Sequence, residues 1–315
     1  MSELHVVVGA GPVGARTATL LAERGHRVRV VTRSGGGPDG VERVAADAAD
    51  GDRMRALTSG AAAVYNVVNP PYHRWPQDWP PVAAALLAAA EAAGAVLVTC
   101  SNLYGYGPVD GPLTEELPLA ATGPKGRTRA RMWRDALAAH EAGRVRVTEA
   151  RPSSYLGHGP ASMIGDRVLP RAAAGRRAYL VGDPDQPHTF TYTPDVARTL
   201  VVLGSDPRAW GRPWHVPSNA PVTQRRVVEE VCDAMGVDRV PVSQTPRALL
   251  TALGAVSPPL REFGEVRHQY ERPWLVDDTA ARAAFGIEPT PWAGVVADLA
   301  ATYRPAAAGD AARAA

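Results

Sequence analysis

The stretch "LHVVVGAGPVGARTATLLAERG", residues 4–25, decides how the rest of the chain is read. Its opening run is apolar and largely β-branched, which predicts a buried strand over 4–9. From Pro12 the apolar residues take a helical spacing that stops at Gly25, which predicts a helix over 12–25. Between the two, Gly9, Gly11 and Gly14 stand in G-x-G-x-x-G spacing. At a strand-to-helix junction such glycines permit a tight turn, close approach of backbone to a pyrophosphate, and tight packing of helix on strand. The competing reading is a plain glycine turn.

Outward from this unit the pattern repeats. "RVRVVT" (27–32), "VERVAA" (41–46), "AAVYNVV" (62–68), "AVLVTC" (95–100) and "RVRVTEA" (144–150) read as strands. An alanine-rich helix from about 81 and a long helix over 125–142 lie between the later ones. The alternation predicts an α/β fold, a Rossmann-type doubly wound parallel sheet covered on both faces. Beyond Arg151 the texture turns to more Pro, more Gly and shorter elements. The expected division is a dinucleotide-binding domain over 1–152, completed by parts of 188–220. A smaller mixed α/β substrate-binding region would take 153–187 and 221–304, over the C-terminal ends of the strands. The alanine-rich tail, 305–315, is expected to be disordered.

Composition narrows the class. The chain has 315 residues, 45% hydrophobic and 21% charged, as soluble globular proteins do. A net charge of +2 with scattered arginines gives no footprint for nucleic acid. Cys100 and Cys232 are far apart and the histidines form no ligand pair in sequence, so no metal site is expected; a reducing cytoplasm fits best. The apolar run 82–98 is broken by Glu91 and Gly94, and reads as a helix followed by a strand rather than a membrane span.

The second strand ends in Thr32, Arg33 and Ser34, where an NAD-preferring site usually carries Asp or Glu. An arginine there suits a 2′-phosphate, so NADP is favoured, with NAD as the alternative; a solvated surface arginine is the plain reading. Asp47, after the third strand, fits either an adenine contact or an ordinary acidic loop. "NPPYHRWPQDWP" (69–80), with Tyr72, His73, Trp75 and Trp79, reads as a Pro-rich loop that either stacks on substrate or serves as a hydrophobic cover.

The chain resembles the extended short-chain dehydrogenase/reductases, the NAD-dependent epimerase/dehydratase family, over most of 4–304. The resemblance rests on the glycine motif, "VTCSNLYGYG" (98–107), "EARPSSYLGHG" (149–159), "TFTYTPDVARTLV" (189–201) and "VDDTAARAAFGIEPTPW" (276–292). It implies that Pro12, Val13, Val68, Asn69, Pro152, Ser153 and Ser154 lie along the cofactor. It also implies a Ser/Thr, a proton-transferring Tyr and a ribose-holding Lys; "Pro124-Lys125-Gly126-Arg127-Thr128-Arg129" stands at the family's Tyr-x-x-x-Lys segment. Lys125 then occupies the tyrosine position, Arg129 the lysine position and Cys100 the Ser/Thr position.

Lys125 is the one lysine among 34 Lys plus Arg. An ammonium can lose its proton in a suitable site and a guanidinium effectively cannot. Burial and the neighbouring Arg129 would favour a neutral amine, able to act as acid/base or to form a Schiff base. Ser101 or Asn102 would then orient the substrate in place of Cys100. Tyr104 is either a substitute proton donor or a wall of the cleft. Tyr155, His158 and Tyr192 are further cleft candidates; Arg176, Arg177 and Arg272 are phosphate candidates. The expected function is an NADP-dependent oxidoreductase or epimerase-like enzyme on a hydroxyl or keto carbon of a small molecule, in specialised biosynthesis. The alternatives are a non-redox isomerase, lyase or cyclase using Lys125, and an NADP(H)-sensing binding protein without chemistry. Nucleic acid and membrane are not expected partners; a homodimer through the two long helices is.

Overall fold

Buried over its whole length, β1 (Leu4–Val8) is a central strand of the sheet around which the other elements are laid. The computed structural model describes residues 2–305 except 160 and 258–260, and no side chain at 253. The predicted tail therefore lies almost wholly outside the described residues. After β1 come α1 (Pro12–Glu23), β2 (Arg27–Thr32), β3 (Glu42–Ala45), α2 (Gly51–Thr58), β4 (Ala61–Asn66), α3 (Trp75–Ala93), β5 (Val96–Cys100), α4 (Pro124–Glu141) and β6 (Arg146–Arg151). Then follow β7 (Ser154–Leu156), α5 (Gly165–Ala173), β8 (Ala178–Leu180), β9 (Pro187–His188), β10 (Phe190–Tyr192), α6 (Thr193–Ser205) and β11 (Pro213–His215). The described labelled elements end with β12 (Val222–Thr223), α7 (Gln224–Met235), β13 (Val242–Gln244) and α8 (Arg247–Val256), before shorter helices and a last helix over Trp292–Tyr303.

Seven strands form one parallel sheet in the order β11-β6-β5-β4-β1-β2-β3. The order reverses direction at β1, and the strand-helix-strand crossovers that produce it leave a crevice at the C-terminal ends of β1 and β4. Both faces are covered. Val6 and Val8 point into a core with Trp79, Leu86, Leu97 and Trp133, whereas Val7 joins Val30, Tyr65, Val98 and Leu200 on the other side. This two-sided burial explains why the strands read as unbroken apolar runs. A third apolar core gathers Leu156, Leu169, Phe190, Val227, Val231 and Leu299 around α5, α7 and the last helix.

The alanine-rich helix starts six residues earlier than its sequence suggests. Pro80 and Pro81 lie inside α3, at the cost of backbone hydrogen bonds. Trp75 and Trp79, one turn apart and both buried, hold this end of the helix against the core. No helix among the described residues is long and apolar enough to cross a membrane.

One polar network is sealed inside. Arg151 donates from Nε to Glu149 at 2.7 Å and from Nη1 to the Tyr106 hydroxyl at 2.7 Å. The Tyr106 hydroxyl lies 2.9 Å from His215 Nε2, and His215 Nδ1 lies 2.7 Å from the Asp277 carbonyl. The side chains of Arg151 and Glu149 are 3% and 4% exposed. Arg151→Ala should lower the unfolding free energy by about 3–5 kcal/mol, because it strands a buried carboxylate. Urea denaturation checks this, and adding Glu149→Gln should recover part of the loss.

Candidate functional site

The β1–α1 turn is shaped by its three glycines in three ways. Gly9 has φ +109, and a Cβ there would sit 2.6 Å from the Val67 carbonyl oxygen. A Cβ on Gly14 would overlap the Gly9 carbonyl, so this glycine lets α1 lie on the strand. Gly11, the residue before α1, has ordinary backbone angles and no atom within 4 Å of where its Cβ would be. It borders open space at a helix N-terminus, the partly positive end of the helix where backbone N–H groups receive anions.

That space is one end of a cleft of about 890 Å³. Its floor comes from the ends of the strands: Gly11 to Gly14 after β1, Val67 to Asn69 after β4, Cys100 to Tyr104 after β5, and Pro152 to Tyr155 after β6. Its far wall comes from Met163, Tyr179, Gln224, Leu250, Phe263 and Tyr270, among others. Of the expected cofactor residues, Gly11, Pro12, Val13, Gly14, Val68, Asn69, Arg129, Pro152, Ser153 and Ser154 line this cleft. Gly9 stands behind it as packing. Thr32, Arg33, Ser34 and Asp47 lie outside its lining: Thr32 Oγ1 donates to the Gly36 carbonyl, Asp47 accepts from the Ala49 N–H, and Arg33 and Ser34 are exposed.

At the middle of the cleft stands Arg129, 6% exposed. Its guanidinium lies over Trp75 at 4.6 Å and Trp79 at 4.2 Å, a cation-on-aromatic arrangement. Among the described residues neither Nε nor Nη1 has a hydrogen-bond partner. Burial pushes its pKa down while the charge of Glu149 pulls it up. In turn its field opposes the upward push that burial exerts on the Cys100 thiol and on the Tyr104 and Tyr155 phenols. Three protic groups thus share one buried cation. Cys100 Sγ is 3.4 Å from the Tyr155 hydroxyl. The Ser101 and Ser153 hydroxyls are buried without partners among the described residues. Asn102 uses its side-chain oxygen locally, accepting from the Tyr104 N–H.

These groups fit a nicotinamide dinucleotide. Gly11 at the head of α1 would take the pyrophosphate, while the orphan donors of Arg129 lack an acceptor that sugar hydroxyls can provide.

Lys125 is placed differently from the expectation. It begins α4, is wholly buried, and is not part of the cleft wall. Its ammonium donates to Glu262, stands 3.9 Å from Glu265, and lies 4.6 Å above the Tyr72 ring. Glu265 also accepts from the backbone N–H of Lys125 and Gly126, at 3.1 and 2.9 Å, and so caps α4. The amine expected beside the cofactor is turned to Glu262, outside the lining of the cleft.

Other candidates divide similarly. Tyr155 and Tyr104 line the cleft, but Tyr192 donates to Asp298 on the last helix and His158 is exposed. Arg176 and Arg177 are exposed outside the cleft, and Arg272 pairs with Asp110. The arginines that do line it besides Arg129 are Arg167, Arg261 and Arg267, which no motif singled out. Ser154 Oγ meets the Tyr270 hydroxyl at 2.9 Å and His188 Nε2 at 2.8 Å. Burial pushes His188 down to about 3, so this ring is neutral at physiological pH.

In sequence, a profile of the NAD dependent epimerase/dehydratase family matches residues 5–216. No curated protein matches the chain. Among solved structures, the UDP-glucose 4-epimerase of Thermotoga maritima superposes with a TM-score of 0.75 at 18% identity, covering 95% of this chain and 98% of that one. The dTDP-glucose 4,6-dehydratase of Bacillus anthracis gives 0.75 at 16%, with 96% of each chain covered. The UDP-glucuronic acid 4-epimerase of Bacillus cereus gives 0.76 at 16%, with 95% of each covered. At these identities the likeness is one of fold. The profile, spanning more than half of the sequence, shows that the chain belongs to the NAD-dependent epimerase/dehydratase family.

Proposed function

We propose that this chain is an NADP-linked enzyme acting on a hydroxyl- or keto-bearing carbon of a small molecule. The observation that carries the reading is the cleft itself, whose lining brings together the open glycine turn at Gly11 and the buried cation Arg129. When bound, the nicotinamide supplies a hydride acceptor or donor. The protein supplies placement and the proton. In this reading α1 receives the pyrophosphate at Gly11, and Arg129 holds the sugar end of the cofactor. The absence of a carboxylate after β2, with exposed Arg33 in its place, favours a 2′-phosphate over a bare ribose.

We assign the proton to Tyr104. Burial raises its phenol, so the group is protonated at neutral pH and serves as an acid toward a carbonyl oxygen. Arg129 then faces the phenolate formed. Ser101, with its unpartnered hydroxyl, is the donor that orients the substrate oxygen. Lys125 becomes a positioning residue: its pairing with Glu262 ties the segment around Arg261 and Phe263 to the head of α4. The Schiff-base alternative has less support, since it needs the amine that Glu262 engages.

Calorimetry with the purified protein should show NADPH binding more tightly than NADH; binding of neither would remove the proposal. Arg33→Ala should weaken NADPH by about tenfold or more and leave NADH unchanged, the loss expected of one charged phosphate contact. Gly11→Ala should unfold at nearly the parent temperature, since its Cβ meets nothing, yet lose dinucleotide affinity. With a keto substrate found by screening NADPH oxidation, Tyr104→Phe should cut turnover by about 10²–10⁴ while cofactor affinity stays put. Unchanged turnover would move the proton role to another group.

A further inference from the structure

At the end of the sheet away from the cleft, three side chains from two places in the sequence meet. Glu3 precedes β1, His5 is its second residue, and His26 lies in the turn between α1 and β2. His5 is 2% exposed. Its Nδ1 is 3.1 Å from the Tyr65 hydroxyl, while its Nε2 is buried with no hydrogen-bond partner among the described residues. The Glu3 carboxylate stands 3.9 Å from that same Nε2. The ring of His26 is 4.3 Å from that of His5, centroid to centroid, and His26 Nδ1 is a second buried nitrogen without a partner. One donor atom from each of the three residues lies within 4.8 Å of the others.

Buried nitrogens left unsatisfied in this number are unusual, and each carries a desolvation cost that a ligand would remove. Two imidazoles cannot satisfy one another by proton exchange alone, since a nitrogen on each is already orphaned. A cation accepting both lone pairs resolves the cluster. We propose that Glu3, His5 and His26 form a divalent transition-metal site of the zinc type.

The donor set selects the metal class. Two imidazoles and one carboxylate suit zinc and its borderline neighbours, whereas Ca²⁺ and Mg²⁺ ask for more oxygen and more negative charge. The second shell is also in place: with Nδ1–H of His5 donating to the Tyr65 oxygen, the Nε2 lone pair is free and the ring is fixed. Metal–donor distances of about 2.0–2.2 Å put donors roughly 3.3 Å apart, so the cluster must contract on loading. Glu3, 59% exposed, and the turn carrying His26 provide that movement. The fourth position is left for water. A bound ion would clasp the start of β1 to the α1–β2 turn, and nothing in this depends on dinucleotide binding.

The test uses full-length, tag-free protein stripped with a chelator. Calorimetry with Zn²⁺ should give one ion per chain, Co²⁺ should give the intense visible bands of tetrahedral coordination, and Zn²⁺ should raise the thermal midpoint. His26→Ala and Glu3→Gln, both outside the strand, should each weaken Zn²⁺ by at least tenfold and remove the Co²⁺ bands. Parent protein that takes up no Zn²⁺, or variants that bind it as tightly as the parent, would overturn the assignment.

Discussion

A carboxylate buried on β6 is what allows two arginines to sit inside this protein. Glu149 is 3% exposed and accepts from Arg151 directly, and its charge also supports the buried Arg129. Removing ions from water costs several kcal/mol each, recovered only when partners and hydrogen bonds are well placed. Arg151 has both, through Glu149 and Tyr106, and its pKa is raised. Arg129 has only the more distant charge and two indole faces, and its pKa is lowered. The asymmetry separates a structural arginine from one that is short of an acceptor.

An arginine at position 129 has consequences along the chain. A guanidinium is broad, flat and weakly hydrated, so it is accommodated by aromatic faces where an ammonium would call for oxygen atoms. Trp75 and Trp79 supply those faces, one turn apart on α3. Their burial pulls the helix back through Pro80 and Pro81 and turns half of what reads as a Pro-rich loop into its first turns. The same packing brings Tyr72 under the Lys125 ammonium and edge-on to Tyr104, at 6.5 Å between ring centroids. The Pro-rich stretch is thus an ordered cover, and Tyr72 and Trp75 also present surface to the cleft.

What was legible in the sequence was local. The strands of the first half, the glycine turn and the parallel sheet follow from period, β-branching and spacing, and each needs only neighbours within about twenty residues. What was not legible depends on distant partners. Lys125 meets Glu262 across 137 positions of sequence, and no pattern around "GPKGR" announces a carboxylate from that far away. Arg167, Arg261 and Arg267 reach the cleft through helices and turns whose placement is tertiary, so a chain that writes its cations as arginine hides them among the rest. Glu3, His5 and His26 escape notice for another reason. Metal spacings familiar from single helices or turns do not describe the start of one strand brought beside the turn that leads into its neighbour.

The two readings of Lys125 differ in where the proton-bearing group of the cleft must come from. Lys125 is wholly buried and its side chain engages Glu262, outside the lining of the cleft. The protic groups of the cleft lining that share the field of Arg129 are Cys100, Tyr104 and Tyr155. Cys100 and Tyr155 already face one another at 3.4 Å, so a proton leaving either must be balanced within that pair. Tyr104 has its hydroxyl neighbour in Tyr72 rather than in that pair, and it lies three residues after Ser101, just beyond β5. Its ring neighbours are Tyr72 and Trp75. In a dry setting the field of one nearby guanidinium weighs more than it would in solvent. On the proposed reading the chemistry turns on the phenols and the thiol that share the field of Arg129, rather than on the lysine that the sequence makes conspicuous.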